Sequence, residues 1–423
     1  MDKETLSNYG WIVIAVLVLS VMIALATPFG EYVKAGVEST TAGLFDTSEK
    51  AMNVVGMSAQ KEKPLYSFGA LSDIHIDDTS STANKFTNAL NFYEKYGVKM
   101  TCISGDITAN GTAANFNKYV ETRDTSNLSV YAVTGNHEAS SARLYKNKTD
   151  SADCIAYNIY DLIGQDFCYY LKGNNYVGLT LSLGSDGSII TGERVVASGL
   201  NIPNNDVYIF VGILGDANQG LFFEEQLEWL EDVLEENRNN RCFLFEHVRA
   251  ERLKWNASTS SYTEDLYSQY VSGNISGKYL KPLWGSANNN GTPNYARQFE
   301  KLVSHYTNSI WFHGHTYASA RIALEANNPT GNIDNYFGNK YHPYDITRSE
   351  QSEKTSLGVH ISSCAEPRTL GASSDGSEGI VVDVYKDKVV VKYIDFITNE
   401  IICEYELDTT LDDIAENSMN FGF

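Results

Sequence analysis

The chain has 423 residues, 43% of them hydrophobic, with 27 Tyr and 18 Phe, a composition that excludes wholesale disorder and suits one large catalytic domain plus a small appendage. Only 32 Lys+Arg stand against 53 Asp+Glu, a formal net charge of -21 that repels nucleic-acid backbones, so no nucleic-acid partner is expected. The same field repels anionic substrates at long range, so a phosphate-handling site on this chain needs local positive charge of the kind metal ions bring.

Residues 1–30 read as a membrane address. Trp11 to Ala26 is WIVIAVLVLSVMIALA, without a charge, and with its uncharged neighbours it reaches about 20 residues, the length of a membrane-spanning helix. The favoured reading is an uncleaved single-pass anchor that leaves the rest of the chain outside the cytoplasm. A cleaved signal peptide is the alternative, since Ala24-Leu25-Ala26 has the small-x-small pattern, but the leader MDKETLSNYG lacks the net positive charge of such peptides. Residues 31–63 read as a helical stalk and linker, with Val33, Val37, Leu44, Ala51 and Val55 loosely on one helical face and Pro64 closing it.

From residue 64 to 406 short apolar runs alternate with polar motifs and helix-like segments, the grammar of an α/β domain. LYSFGALSDIHID predicts a strand into a loop, TANKFTNALNFYEKYG a helix, VKMTCISGDIT and LSVYAVTGNHE two more strands into loops. NNYVGLTLSL and VYIFVGILG follow as strands, FFEEQLEWLEDVLEENRNN as a helix with Leu227, Leu230 and Leu234 on its packed face, RCFLFEHV as a strand, RQFEKLVSHY as a helix and NSIWFHGHT as a strand. EGIVVDVYKDKVVVKYIDFITNEIICEYEL alternates like a three-strand meander turning near Lys386-Asp387 and Asn399, and residues 407–423 form a tail. Six scattered Cys include no C-x-x-C pair; Cys102 and Cys242 read as buried hydrophobes, while Cys154 and Cys168 leave a disulfide open.

Each metal-binding motif falls at the C-terminal end of a predicted strand, where open α/β sheets put their sites. Asp73 and His75, two apart in extended chain, point the same way and can grip one ion. Gly105 lets the backbone turn beneath Asp106, whose two oxygens can bridge two ions. Asn136 offers a neutral amide oxygen beside His137 and Glu138, His247 ends CFLFEH, and His313-Gly314-His315 ends NSIWF.

Together these motifs, D-x-H, GD, GNHE, a lone His and GH, resemble the calcineurin-like metallophosphoesterases, over roughly residues 64–405. The resemblance implies a sandwich of two mixed β-sheets flanked by helices. It implies Asp73 and His75 on a first metal, Asn136 and His247 on a second, and Asp106 between them. His137 would serve the leaving oxygen, with Glu138 orienting it. Such a site cleaves phosphate mono- or diesters through a hydroxide activated by two divalent or mixed-valence ions, and hard carboxylate, amide and imidazole ligands suit Mn, Fe, Zn or Mg.

One departure stands out. The family's GHxH reads here Gly314-His315-Thr316-Tyr317, so Tyr replaces the last His while an extra His313 precedes the glycine. In register His315 matches a ligand of the second metal, and either His313 or Tyr317 completes the first, or the first site is weak. The alternative function is a surface binding or structural protein with a degenerate phosphoesterase fold. His305, His342 and His360 read as structural, and Arg368 stays outside the site.

Overall fold

The computed structural model describes residues 62–140, 155–213, 222–247, 254–256, 261–263 and most of 299–321 and 357–411. The chain divides into two compact units, Met1–Lys63 and Pro64–Phe423, and the fold described here belongs to the second. The expected anchor and stalk, Cys154 and His342 lie outside the described residues. Among the described residues no helix is long and apolar enough to cross a membrane.

In chain order the elements are β1 (Tyr66–Leu71), α1 (Ser80–Tyr96), β2 (Thr101–Ser104), α2 (Ala113–Arg123), β3 (Val130–Val133), α3 (Asn136–Ser140), α4 (Ile155–Ile163), β4 (Cys168–Lys172), β5 (Asn175–Leu183), β6 (Ile189–Ala197), β7 (Val207–Val211), α5 (Glu224–Glu236) and β8 (Cys242–Phe245). They continue as β9 (Lys254–Asn256), β10 (Ser261–Thr263), β11 (Ser309–His313), β12 (Leu357–His360), β13 (Arg368–Thr369), β14 (Ala372–Ser373), β15 (Glu378–Val384), β16 (Lys388–Asp395) and β17 (Glu400–Asp408). A six-stranded sheet runs β17-β16-β15-β1-β2-β3 and a seven-stranded sheet runs β12-β11-β8-β7-β4-β5-β6. Both are mixed: β1, β2 and β3 are parallel, as are β7, β8, β11 and β12, while β15 joins β1 and β4 joins β7 antiparallel. Two mixed sheets with flanking helices are the architecture expected from the sequence.

Aromatic side chains fill the space between the sheets. Phe68 of β1 meets Phe243 and Tyr208 of the other sheet edge-on, with ring centroids 5.1 and 5.2 Å apart, and Phe245 and Phe312 stack beside them at 5.0 Å. Rings of this size, fully buried, contribute on the order of 1.5–3 kcal/mol each and make this layer the main anchor of the sandwich. Strands buried on both faces read as unbroken apolar runs, which is why VYIFV and CFLF lack alternation.

Helices cover the outer faces. On α1, Tyr93 donates to the carbonyls of Ala70 and Ile380 at 2.9 and 2.8 Å, across β1 and β15, and the helix ends where Gly97 takes a left-handed φ of 86°. Leu227, Leu230 and Leu234 of α5 are buried on the face expected from the sequence. The C-terminal meander turns where predicted, and β17 runs to Asp408, past the expected start of the tail. Cys168 is a buried free thiol whose sulfur accepts from Gln226 at 3.1 Å.

Candidate metal centre

The parallel strands of both sheets deliver their carboxyl ends to one rim. Asp73 and His75 follow β1, Asp106 follows β2, Asn136 and His137 open α3 after β3, His247 follows β8 and His315 follows β11. The Asp73–His75 segment is not extended as the sequence suggested. Asp73, His75, Asp106, His315 and Tyr317 all hold positive φ, at 51°, 45°, 49°, 72° and 58°. Non-glycine residues in this region cost energy, and the surrounding contacts must hold them there.

Those contacts are identifiable. The Asp73 amide donates to the Gly105 carbonyl at 3.2 Å, the His75 amide to the Asp106 carbonyl at 3.0 Å and the His315 amide to Asp73 Oδ2 at 3.0 Å. Asp106 Oδ1 accepts the His137 amide at 2.9 Å. Gly314 has to be glycine, since a Cβ there would run into the side chains of Ser72 and Asp73.

The other carboxylate oxygens face inward. Asp73 Oδ1 and Asp106 Oδ2 are buried and accept no well-aligned hydrogen bond. Around them lie imidazole nitrogens: His75 Nε2 is 3.7 Å from each, His247 Nε2 is 3.1 Å from Asp106 Oδ2 and 4.0 Å from Asp73 Oδ1, and His137 Nε2 is 3.9 Å from Asp106 Oδ2. Asn136 Oδ1 is 3.1 Å from His247 Nε2. His247 Nδ1 meets the Ser104 carbonyl at 2.8 Å, so a neutral ring carries its hydrogen there and aims the Nε2 lone pair at Asp106. Lone pairs facing at that distance repel unless a cation or proton lies among them.

Two groups emerge, His75 with Asp106 and His137, and Asp106 with His247 and His315, each with ligand atoms within 4.8 Å of one another. Asp106 belongs to both, which fits a dinuclear centre built on a shared carboxylate. Burial opposes charge on His247, yet Asp106 and Asp73 raise its pKa to about 10. Burial and the neighbouring His247 lower His315 to about 4, and despite burial the histidines hold the Asp106 carboxyl well below its usual range.

Two expected site residues have different surroundings from those foreseen. β11 turns Phe312 into the inter-sheet core, and His313 lies in neither ligand group; its ring packs 5.4 Å from Trp311 and 5.5 Å from His360, its neighbour on β12. Glu138, expected to orient His137, instead accepts from the amide and hydroxyl of Thr108 and the amide of Gly135, each at 2.7 Å. His137 is oriented by the Ala109 carbonyl, 2.7 Å from Nδ1. Sequence reading missed Ala109 and Ser104 because a main-chain carbonyl leaves no signature in residue type.

The model of the calcineurin-like phosphoesterase domain matches residues 66–319. The chain belongs to the calcineurin-like phosphoesterase family. Among solved structures it is similar to a dimetal phosphatase from Danio rerio, at 12% identity over 82% of this chain and all (100%) of that one, TM-score 0.45. It is also similar to purple acid phosphatase PPD1 from yellow lupin, at 10% identity over 84% of this chain and 58% of that one, TM-score 0.43, and to PhoD, at 12% over 84% and 72%, TM-score 0.43. No curated protein matches. The family typically carries a dinuclear metal site, and the buried Asp73 and Asp106 oxygens ringed by imidazoles suit that group.

Proposed function

We propose that this calcineurin-like phosphoesterase hydrolyses phosphate mono- or diesters at a two-metal centre. Asp73, His75 and Asp106 hold the first ion, and Asp106, Asn136, His247 and His315 the second. The observation that carries this reading is the pair of buried, inward-facing oxygens, Asp73 Oδ1 and Asp106 Oδ2, set 3.1–4.0 Å from His75 and His247 Nε2. When bound, two hard ions supply an activated water, a grip on the phosphate oxygens and compensation for charge on the leaving group.

The chain's own residues do the rest. Asp106 gives Oδ1 to the His137 amide and keeps Oδ2 for the ions. The Ser104 carbonyl fixes the His247 tautomer that offers Nε2 as a ligand. His137, half-exposed and held at Nδ1 by Ala109, presents Nε2 for proton transfer to the leaving oxygen. The acidic chain gains its attraction for phosphate from bound cations, in keeping with its net charge of -21.

The test is turnover of nitrophenyl phosphate and bis-nitrophenyl phosphate by the full chain, before and after chelation and with Mn, Fe, Zn or Mg restored. Loss in chelator and recovery with metal is expected; absence of turnover with every metal and both esters would sink the reading. The length of the Trp11–Ala26 run supports a membrane anchor, and we propose that the catalytic domain lies outside the cytoplasm. Protease added to intact cells should then digest that domain, and full protection would refute the topology.

A further inference from the structure

Tyr317 stands where the family's motif has its last histidine, and the phenol does not turn away from the site. Its hydroxyl oxygen is 2.6 Å from His75 Nε2, and the two rings stack at an interplanar angle of 12° with centroids 5.2 Å apart. His75 Nε2 is itself 3.7 Å from both Asp73 Oδ1 and Asp106 Oδ2. The phenol oxygen thus adjoins the donor atoms assigned to the first ion.

The backbone is arranged to keep it there. Tyr317 has a φ of 58°, a left-handed conformation that a bulky side chain rarely adopts, so the loop on both sides must impose it. On one side the Gly314 amide donates to the His247 carbonyl at 2.9 Å and the His315 amide to Asp73 Oδ2 at 3.0 Å. On the other, buried Glu378 of β15 accepts from the Ser319 hydroxyl at 2.6 Å and the Ala320 amide at 2.8 Å. Holding a strained tyrosine from both sides is consistent with a role for its oxygen in the site.

We propose that Tyr317, not His313, is the remaining protein ligand of the first metal position, its phenol oxygen substituting for an imidazole. This rests on the two-metal reading above. It makes the first position rich in hard oxygen donors, Asp73, Asp106 and Tyr317 around the single imidazole of His75, while the second keeps His247 and His315. Such a donor set favours hard ions, ferric iron above all, at the first position. On coordination the oxygen–metal bond replaces the O–H bond and the proton leaves to solvent.

The experiment is metal binding by the full chain, measured by equilibrium dialysis with Mn and by visible absorption after loading with ferric iron. Wild type should bind two Mn and show a phenolate-to-iron charge-transfer band. Tyr317→Phe should lose the band and weaken one Mn site by more than about 100-fold, beyond what loss of a supporting partner costs, leaving the other site as a built-in check on folding. Tyr317→His should restore the weakened site without the band. No band in wild type, a band retained in Tyr317→Phe, or a first-site affinity that falls by no more than about 100-fold means the phenol at most hydrogen-bonds His75 and overturns the proposal. A wild type that binds no ion overturns the two-metal reading itself, a result distinct from loss at one site.

Discussion

Glu138 reaches Thr108 rather than His137: its Oε1 accepts both the amide and the hydroxyl of Thr108 at 2.7 Å. The next residue, Ala109, holds His137 Nδ1 through its carbonyl at 2.7 Å. The acidic residue of the GNHE motif therefore sets the imidazole indirectly, by fixing the loop that carries the accepting carbonyl. Burial, then the nearby Asp106, raises the Glu138 pKa, so the three hydrogen bonds it accepts are what keep a carboxylate tolerable there.

This separates two variants. His137→Ala should lower kcat by about 10²–10⁴ with two metals still bound, as expected for loss of a proton-transfer group. Glu138→Gln should lower stability by about 1–3 kcal/mol, because an amide brings a donor against donors, and should lower kcat less than His137→Ala does. Steady-state kinetics and thermal unfolding on both decide it; an unchanged kcat in Glu138→Gln would reduce Glu138 to a structural role.

Stability of the chelated protein should depend on pH through His247. Its pKa, lowered by burial but raised further by Asp106 and Asp73, stands at about 10 against an ordinary 6.5. The folded state holds this proton more tightly than the unfolded state, so the stabilisation is complete below about 6.5 and is lost as pH rises towards 10. Tm without metal should fall across that window more steeply in wild type than in His247→Gln. Bound metal should flatten the wild-type curve by taking the proton's position. Parallel curves for wild type and variant without metal would contradict the assignment.

Most of the architecture was legible because strand periodicity and motif position say the same thing. β1, β2, β3, β8 and β11 each end in a polar motif, and every one of those motifs except His313 reaches the site. His313 lies in neither ligand group, and its adjacency to Gly314-His315 in sequence says nothing about which face of β11 it occupies; Phe312 belongs to the inter-sheet core. The edge strand β6, exposed along most of its length, has no buried face to mark it by alternation, and β4 also went unread. The left-handed backbone at Asp73 and His75 was equally hidden, since neither residue type signals positive φ as glycine does.

Gly314 offers a steric test of the site that alters no proposed ligand. A methyl group there would collide with the side chains of Ser72 and Asp73, and Asp73 Oδ2 is the acceptor for the His315 amide. Gly314→Ala should therefore displace both Asp73 and His315, lowering metal affinity at both positions by about 10–100-fold, as expected when supporting contacts of ligands are lost. Calorimetric titration with Mn is the measurement, and wild-type affinity at both positions would show that the loop has room to shift.

The opposite end of the strands gives a control. Arg241, just before β8, pairs with Asp206 at 2.8 Å with both side chains buried, and it also donates to the Tyr385 carbonyl and the Thr409 hydroxyl at 2.8 and 3.0 Å. Tyr66 donates to the same carboxylate at 2.6 Å. Burial raises the Asp206 pKa even with Arg241 beside it, so the pair is a costly arrangement held together by its partners. Arg241→Leu leaves that carboxylate uncompensated and should destabilise by about 3–5 kcal/mol, while Arg241→Leu with Asp206→Leu should cost less than the single change. Since His247 lies beyond the other end of β8, neither variant should alter metal stoichiometry in the folded protein. Denaturant unfolding alongside metal analysis reads both quantities. A double variant less stable than the single one would mean that the ion pair outweighs its desolvation cost.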